Sequence, residues 1–570
     1  MTGILRCAII NAAAGRWLRV LLLMACGMPG AVTAMAQGQP DYSWDHLPSI
    51  ARPAFPKDTF SIVRYGAVPD GITLNTKAIN EAIADCSRKG GGVVVVPQGL
   101  WSTGPIVLRS HVDLHIDRAA ILQFTSDFDQ YPIVEGNWEG HPAARCQSPL
   151  SGTDLEDIAI TGGGIIDGNG DAWRWIAKDR LSEGEWRARV ASGGVVTEDG
   201  KTWFPSASSL KGYKTKDAGV LKPGMSTSDF QDIRDFLRPN LLVLTHCTRV
   251  LLDGPSFQNS PAWCLHTLLC EDLTVHDVHV RNPWNAVNGD GIDVESCKNV
   301  LVENSTFDAG DDGMCVKSGR DEEGRKRGRP TENMIVRNDI VYRAHGGFVI
   351  GSEMSGGARN IFVYDCSFIG TDIGLRFKTV RGRGGVVEKI YIRNISMRNI
   401  VHQAVFLDMY YFAKPPSIAD VYSGVANANI PVPPVTEGTP RFRDIHISNI
   451  VCDGAEEGIF VRGLPEMNIS DIYLDNMVLK AAKGAELAEA QRVHLANIRL
   501  VTRDTDPVIY VENSSQLTFD HIGYNKGAAL LFSINGDKSS DLRVTATDGS
   551  QAVRTAAFQF GAAEQALQLN

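Results

Sequence analysis

The sequence lacks the signals that mark several common classes of protein. No two of its 11 cysteines form a CxxC pair, so neither a zinc site nor a dense disulfide framework is indicated. After residue 36, no stretch approaches the ~18 apolar residues that a membrane helix needs. The formal net charge of −10 argues against nucleic acid as a partner. Amphipathic helical stretches are also few, which disfavours a Rossmann-like fold.

The first 36 residues have the pattern of a signal peptide. Three arginines precede a short apolar run, Val20–Ala25, and Ala34-Met35-Ala36 fits a small-x-small cleavage site. Leu23-Met24-Ala25-Cys26 also resembles a lipoprotein box, but its apolar stretch is only six residues long. The pattern therefore favours soluble export, to the periplasm or the extracellular space, over lipid anchoring. Residues 37–58 are predicted to be an N-terminal extension, and 59–570 a single domain.

A repeated phrase indicates the fold. Two alternating apolar residues, a polar residue, then Asn or Asp and further alternation recur every 21 to 34 residues, with one gap of 55. Each copy has two short strands joined where Asn or Asp suits a left-handed bend. The copies are LTVHDVHV from Leu273, VLVENSTF from Val300, MIVRNDIV from Met334, IFVYDCSF from Ile361, IYIRNISM from Ile390, IHISNIVC from Ile445, IYLDNMVL from Ile472 and VHLANIRL from Val493.

Coils of this length predict an all-β fold, a single-stranded parallel β-solenoid of about ten coils. One helix is predicted at Thr76–Lys89, with Asn75 as its N-cap, and its position before the first coils suits it to cap the open end of the solenoid. Residues 171–237 and 409–441 interrupt the repeat and are predicted to be long loops. Cysteines at repeat spacing (Cys247, Cys270 and Cys297) are interpreted as stacked interior thiols.

A second phrase places charged residues on one face of the solenoid. In four central coils a Gly is followed by a strand whose first and third residues are large and apolar, so its second and fourth residues face outward. Asp290 and Asp312 both stand immediately before this Gly, and Asp311 and His345 stand two residues before it. Because neighbouring strands lie ~4.8 Å apart, these residues are predicted to cluster with the outward-facing Asp293, Glu295, Lys317, Arg376 and Lys378.

Such a cluster suits glycoside hydrolysis. Three neighbouring carboxylates cannot all ionise freely, and a protonated carboxyl beside ionised ones is the arrangement by which glycosidases protonate a leaving oxygen and activate water. Turn termination or Ca²⁺ binding is the alternative for any single aspartate. For the whole set, the nearby cations favour catalysis, because cations are unwanted in a Ca²⁺ site. No metal or other cofactor is predicted.

These residues resemble the motifs of the polygalacturonases, the pectin-hydrolysing glycoside hydrolase family 28, whose fold is a right-handed parallel β-helix. The family's Asn-Thr-Asp, Gly-Asp-Asp, Gly-His-Gly and Arg-Ile-Lys motifs match, in order, Asn288-Gly289-Asp290, Gly310-Asp311-Asp312, Ala344-His345-Gly346 and Arg376-Phe377-Lys378. The sequence departs from the pattern at Gly289, Ala344 and Gly313, where Thr, Gly and Cys are usual. These changes affect substrate fit more than the catalytic residue types.

The resemblance implies an inverting hydrolysis. Asp311 is then the general acid, Asp290 and Asp312 hold the attacking water, and His345 tunes or orients Asp311. Arg376 and Lys378 bind the substrate carboxylate. Asn288, Lys317, Glu353, Arg238 and His266 are further candidates for substrate binding.

Residues 317–330 and 351–357 resemble the bacterial exo-acting branch. We therefore predict an exported enzyme that cleaves α-1,4-galacturonosyl linkages of pectin or oligogalacturonides from chain ends, acting as a monomer. A rhamnogalacturonan or xylogalacturonan hydrolase and a pectate-lyase-type enzyme remain alternatives, as does a non-enzymatic glycan-binding solenoid.

Overall fold

The computed structural model describes residues 42–415, 417–423 and 431–570. The predicted signal peptide lies outside the described residues, as do 416 and 424–430 of the predicted 409–441 loop. Two long sheets of parallel strands, here called sheet A and sheet B, dominate the described part. Within these ranges no helix combines the length and the apolarity needed to cross a bilayer.

Sheet A contains fourteen parallel strands stacked in chain order, one from each coil. The spacing predicted about ten coils. The additional strands lie at the two ends of the solenoid, where the repeat pattern is weak. In chain order, β1 to β14 are Ile106–Val107, Leu150–Thr153, Leu242–Thr245, Leu265–Leu268, Ile292–Glu295, Asp312–Lys317, Gly346–Ile350, Ile373–Lys378, Gln403–Asp408, Glu457–Arg462, Lys483–Ala488, Ile509–Glu512, Leu530–Asn535 and Arg554–Gln559.

Sheet B holds 24 strands, which pair in parallel with the same segments of neighbouring coils. They are Thr59–Ser61, Asp70–Leu74, Gly92–Val96, Gly99–Thr103, Val112–Ile116, Ala120–Phe124, Glu156–Thr161, Ile165–Asp167, Thr248–Asp253, Ser256–Gln258, Glu271–His276, His279–Arg281, Lys298–Glu303, Thr306–Asp308, Thr331–Arg337, Ile340–Tyr342, Ala358–Ile369, Val386–Arg398, Arg441–Asp453, Ile469–Ala481, Ala490–Thr502, Ser515–Asp520, Ser540–Thr545 and Leu567–Leu569. The predicted parallel β-helix is therefore confirmed.

The bends of the repeated phrase have the left-handed backbone that the sequence indicated. All eight Asn or Asp residues at this position have φ between 50° and 57°. Neighbouring bends are joined by side-chain hydrogen bonds, for example from Asn449 to Asn394 at 2.9 Å and from Asn476 to Asn449 at 2.7 Å. The eight residues are Asp277, Asn304, Asn338, Asp365, Asn394, Asn449, Asn476 and Asn497.

The inward residues of both sheets form one continuous core. In each central strand of sheet A, the first and third residues after the Gly are buried in it, as Phe348 and Ile350 show. The glycines themselves are required by close packing between coils. A Cβ on Gly291 would lie 2.4 Å from the carbonyl oxygen of Gly313, nearer than a methyl group can approach.

The predicted capping helix is present. Helix α1, Thr76–Arg88, buries Ala78, Ile79, Ala82, Ile83 and Cys86 against the first coils. Asn75 is the N-cap residue, as predicted, and its carbonyl oxygen accepts a hydrogen bond from the Ile79 N–H at 3.0 Å, but its side chain makes no hydrogen bond to the helix. It instead accepts a hydrogen bond from the Val68 N–H at 2.7 Å and donates to the carbonyl oxygen of Ser102 at 3.1 Å.

The predicted loop 171–237 is a folded insertion. It contains helices α2, Glu183–Ala191, and α3, Ala207–Tyr213, besides a three-stranded antiparallel sheet (Ile176–Ala177, Val195–Val196 and Thr202–Phe204). The other helices are α4, Asp321–Arg327, and α5, Ile418–Tyr422. Short 3-10 helices are Ile62–Tyr65, Phe128–Gln130, Gly170–Ala172, Lys178–Arg180, Thr227–Phe236, Gly549–Gln551 and Glu564–Ala566.

Two further features complete the fold. A β-hairpin, Ile133–Trp138 and His141–Cys146, projects from the early coils and is called the wall hairpin below.

Nine cysteines of the described residues are free and buried. Cys247, Cys270 and Cys297 are among them, as the interpretation of stacked thiols requires.

Candidate active site

The register of sheet A brings the three aspartates together. Asp290 stands two residues before β5, and Asp312 begins β6. Gly291, which follows Asp290, donates its N–H to the carbonyl oxygen of Asp312 at 2.9 Å. One carboxylate oxygen each of Asp290, Asp311 and Asp312 lies within 4.8 Å of the other two.

The carboxylate of Asp312 is enclosed by cations. Lys378 Nζ lies 2.7 Å from its Oδ2 and Arg376 Nη1 lies 3.1 Å from its Oδ1. Burial alone raises the pKa of Asp312, but the charges of Lys378 and Arg376 outweigh it and hold this pKa below its usual range. Asp312 therefore remains ionised, and the cations supply the positive charge that a bound divalent metal would otherwise bring to the cluster.

Asp290 has the opposite environment. It is buried, and its Oδ1 has no hydrogen-bond partner among the described residues. Burial, followed by the charges of Asp293 and Asp311, raises the pKa of Asp290 well above its usual range. Asp293 is itself fully buried, and burial raises its pKa to about 8 although Lys317 Nζ lies 3.6 Å away. The cluster thus holds protons at neutral pH, and Asp290 is a preferred place for one.

Asp311 is the most open of the three carboxylates, with a side chain that is 25% exposed. Its Oδ1 accepts a hydrogen bond from the Asp312 N–H at 2.9 Å and lies 3.1 Å from His345 Nδ1. The hydrogen bond to Asp311 raises the pKa of His345 above its ordinary value, which favours the imidazolium beside this carboxylate.

The cavity above the cluster has a volume of about 230 Å³. Besides the three aspartates, it is lined by four sequence-predicted binding residues, Asn288, Lys317, Glu353 and Lys378. Lys317 and Lys378 were expected to face outward, and they do leave the core, but loops bury both of them. Asp293 and Glu295, expected on the same outward face, are fully buried for the same reason.

Two of these residues form a buried ion pair. Lys317 Nζ lies 3.0 Å from Glu353 Oε2 and 4.9 Å from the centre of the Trp263 ring. Burial raises the pKa of Glu353, but Lys317 and Arg383 outweigh this and lower it to about 2. Lys317 is therefore held between a carboxylate and an aromatic ring at the edge of the cavity.

Two predicted binding residues, Arg238 and His266, lie behind the lining of the cavity. Arg238 donates to the carbonyl oxygen of Val287 at 2.8 Å and to Asn288 Oδ1 at 2.9 Å, so it holds the loop that leads to Asp290. His266 Nε2 lies 2.9 Å from Glu295 Oε2, and both side chains are buried. Both side chains are used for contacts within the protein, so the structure places neither of them in the cavity.

Comparisons with known proteins agree with this site. A profile of the glycosyl hydrolases family 28 matches residues 187–457, a range that includes the three aspartates, His345, Arg376 and Lys378. The chain is 29% identical over 411 residues to a probable polygalacturonase of Vitis vinifera, which covers 68% of this chain and 73% of that protein. The chain contains a glycoside hydrolase family 28 domain. It is a glycosidase, and its relatives include polygalacturonases.

Other relatives in family 28 support the same assignment. An exo-poly-alpha-D-galacturonosidase of Dickeya chrysanthemi is 27% identical over 458 residues, 78% of this chain and 71% of that protein. The crystal structure of an exopolygalacturonase from Thermotoga maritima is 28% identical, with a TM-score of 0.61 over 81% of this chain and 94% of that one. A family 28 exopolygalacturonase from Yersinia enterocolitica shares the fold, with 22% identity and a TM-score of 0.60 over 82% and 78% of the two chains.

One departure from the family 28 motifs has a local cause. A Cβ on Gly289 would lie 2.6 Å from the Cβ of Ala286, so the threonine that is usual here has no room. Asn288, the motif residue before it, accepts a hydrogen bond from Arg238 at 2.9 Å.

The wall hairpin closes the family 28 cavity at the side of the early coils. Trp138 stacks on Trp263 with ring centres 4.9 Å apart, and Arg145 Cζ lies 3.9 Å from the centre of the Trp138 ring. The hairpin is tied across the cleft by ion pairs to the segment that contains helix α4, Glu139 to Arg320 at 3.0 Å and His141 to Glu323 at 2.9 Å. We call the wall hairpin, together with Trp263, Arg320 and Glu323, the end wall.

Sequence reasoning did not find the residues that shape the rim. Glu139, Trp263 and Arg320 line the cavity from the end wall, and Tyr411 and Phe412 line it from the opposite side. Tyr411 lies over Lys378 at 4.9 Å, and Phe412 is 76% exposed. Glu139, Arg320, Tyr411 and Phe412 lie in insertions without repeat phase, and the signal available for the hairpin was Asn137-Trp138-Glu139-Gly140, whose Asn and Gly are typical of a turn. Trp263 stands two residues before β4, the position that Asp290 has before β5, so the repeat phase could have placed it.

Replacing Lys378 with methionine should destabilise the protein by about 3 kcal/mol at pH 7, because it leaves the buried Asp312 with less compensating charge. The folded pKa of Asp312 lies below its unfolded value of ~3.9. Its stabilisation is therefore fully present above the unfolded pKa and is lost as the pH falls through the folded pKa. The variant raises that folded pKa, so its deficit should shrink as the solution is acidified.

Urea unfolding followed by circular dichroism between pH 2 and pH 7 measures this deficit. Lys480→Met is the matched control, because Lys480 is exposed and pairs with the exposed Asp453 at 3.0 Å. A deficit for the Lys378 variant that does not change with pH would contradict the charge balance described here.

Proposed function

We propose that this glycosidase is exported and removes galacturonate units from the ends of pectic chains by inverting hydrolysis. The observation that carries the proposal is the cluster of three aspartates at the bottom of a cavity that is lined by cations and closed on one side. Residues 1–36, predicted to be a signal peptide, support export. The names of the relatives, which include an exo-poly-alpha-D-galacturonosidase, support the substrate class.

Charge supports a uronic acid as the bound unit. Lys317, Lys378 and Arg320 line the cavity, and Arg376 is bound to Asp312 beside it. A sugar carboxylate that enters here loses its bound water, and hydrogen bonds from these cations compensate for that loss. Each of these cations also contacts a carboxylate of the protein, so a sugar carboxylate would share them, and the four cations together with the substrate named for a relative support galacturonate at the cleaved bond.

The catalytic roles follow from the environments of the three aspartates. Asp312 is held ionised by Lys378 and Arg376, so it is free to accept the proton of the attacking water, although its lowered pKa makes it a weak base. We assign the general acid to Asp311, because its carboxyl opens toward the cleft, and the proton that it donates comes from His345, whose Nδ1 lies 3.1 Å from Asp311 Oδ1. Asp290, enclosed and with a raised pKa, then positions the water with Asp312 and exchanges its proton within the cluster.

The end wall supports exo action. A cleft that is open at both ends lets a long chain lie across the carboxylates, whereas the stack of Trp138 on Trp263 and the ion pair of Glu139 with Arg320 would block the chain on the side of the early coils. Only a chain end fits such a cavity.

Chromatography of the first products from oligogalacturonides tests both the reaction and the mode of attack. Monomer alone should appear, without the ultraviolet absorbance of unsaturated ends and without sensitivity to chelator. In Trp138→Ala/Glu139→Ala, which opens the end wall, dimers and trimers should appear early. A ladder of sizes from the wild type would exclude exo action, and unsaturated products would exclude hydrolysis.

The general acid is tested by the leaving group. Asp311→Asn should lose about 10²–10⁴-fold in kcat on digalacturonate but far less on an aryl galacturonide, whose nitrophenolate departs without protonation. Asp290→Asn is the comparison, and it should lose activity on both substrates. If the aryl substrate rescues Asp290→Asn and leaves Asp311→Asn inactive, the acid is Asp290.

A further inference from the structure

Beyond the active site, the outward residues on the floor of the cleft change from cationic to aromatic and acidic. Strand β8 presents Arg376 and Lys378 outward, and in the register of sheet A the next strand, β9, places Phe406 beside Arg376 and Asp408 beside Lys378. Each of the two cationic positions is thus followed, one coil further on, by an aromatic or an acidic residue.

This change continues over the following coils. Phe406 stacks on Phe460 of β10 with ring centres 5.2 Å apart and planes 15° apart, and both rings are half-buried. At the outward positions of β9 to β12, three carboxylates (Asp408, Glu486 and Glu512) face one cation, Arg462.

That single cation is already paired. The guanidinium of Arg462 bonds to Glu486, while Glu512 accepts a hydrogen bond from Tyr510 at 2.6 Å. Asp408 Oδ1 accepts a hydrogen bond from the N–H of Tyr410 at 3.1 Å, and burial raises the pKa of Asp408 to about 6, so it is charged at neutral pH. The outward strand positions of this region therefore carry an excess of negative charge.

The proposed function determines the direction in which a substrate chain lies across strands β9 to β12. Because the end wall closes the cavity at the side of the early coils, the rest of the chain must leave over the later coils. Successive coils lie ~4.8 Å apart, a spacing close to the length of one pyranose unit. If the second sugar unit lies at Arg376 and Lys378, the third lies over Phe406, Asp408 and Phe460.

We propose that this third position is a subsite for an uncharged sugar unit, either a methyl-esterified galacturonate or a neutral sugar. Phe406 and Phe460 offer apolar ring surface to the hydrophobic side of a pyranose. The carboxylate of Asp408 accepts hydrogen bonds from sugar hydroxyls. A free uronate at this position would lie beside the carboxylates of Asp408 and Glu486. Arg462, the one cation among the outward residues of β9 to β12, is already paired with Glu486, so the repulsion between these like charges would not be compensated.

Three trisaccharides test the subsite. Each begins with two galacturonate units at the attacked end, and the third unit is galacturonate, its methyl ester or rhamnose. For the wild type at low ionic strength, kcat/KM should be about tenfold higher with either uncharged third unit than with the free acid. The preference should shrink in added salt, which screens the charges. A preference for the ester alone would identify the methyl ester as the occupant.

Two variants separate charge from packing. Asp408→Asn keeps the acceptor for the Tyr410 N–H and should reduce the preference, whereas Phe406→Ala should raise KM for all three trisaccharides. Asp453→Asn removes an exposed carboxylate of sheet B and, as the matched control, should keep the wild-type preference.

The possible failures are distinguishable. If the wild type cleaves neither digalacturonate nor any trisaccharide, the proposed function fails. If it cleaves all three trisaccharides equally, or prefers the free acid, the proposed function stands and the uncharged subsite is overturned. A preference that survives in Asp408→Asn without change would also overturn it.

Discussion

The hydrogen bond from the Gly291 N–H to the carbonyl oxygen of Asp312 is the contact on which the site depends. It belongs to the parallel ladder of sheet A, and it fixes Asp290 one coil from Asp312. The coils can approach this closely because residue 291 has no Cβ. A side chain there would force the two coils apart and separate the carboxylates. The chemistry therefore rests on a backbone register that the core residues of every coil maintain.

Once the carboxylates are this close, their surroundings decide which of them is charged. Asp312 keeps its charge because two cations contact it, and Asp290 tends to be protonated because it is buried and unpaired. Asp311 opens toward the cleft and contacts His345. One backbone arrangement thus holds an ionised carboxyl and a protonated one side by side, which is the condition for acid and base catalysis at one pH.

The repeat phase allowed much of this to be predicted. The alternation after each glycine identified the core residues, and the Asn and Asp bends identified the coils. Equal positions in successive coils placed Asp290 and Asp312 side by side, and strand alternation placed Lys378 on the same outward face. These predictions succeeded because each coil contacts mainly its neighbours, so local sequence determines local packing.

What the repeat could not predict lies in the insertions. The ion pair of Glu139 with Arg320 joins residues 181 positions apart, and no periodicity connects the wall hairpin to the segment containing helix α4. The same insertions bury Lys317 and Lys378, which strand alternation could only place outside the core. Arg238 and His266 were candidates by residue type, but type alone does not tell whether a long side chain reaches a substrate or a neighbouring loop.

The short distance between the carboxylates leaves the stereochemistry as the sharpest question. Inverting glycosidases usually hold their carboxyl groups ~6.5–9.5 Å apart, whereas here the nearest oxygens lie within 4.8 Å of one another. Inversion therefore requires the water to lie against Asp290 and Asp312 on the face of the sugar opposite Asp311. Proton NMR of the first product from an α-linked oligogalacturonide tests this directly. The account predicts that β-galacturonate appears first and mutarotates to the α anomer, and initial release of α-galacturonate would contradict it.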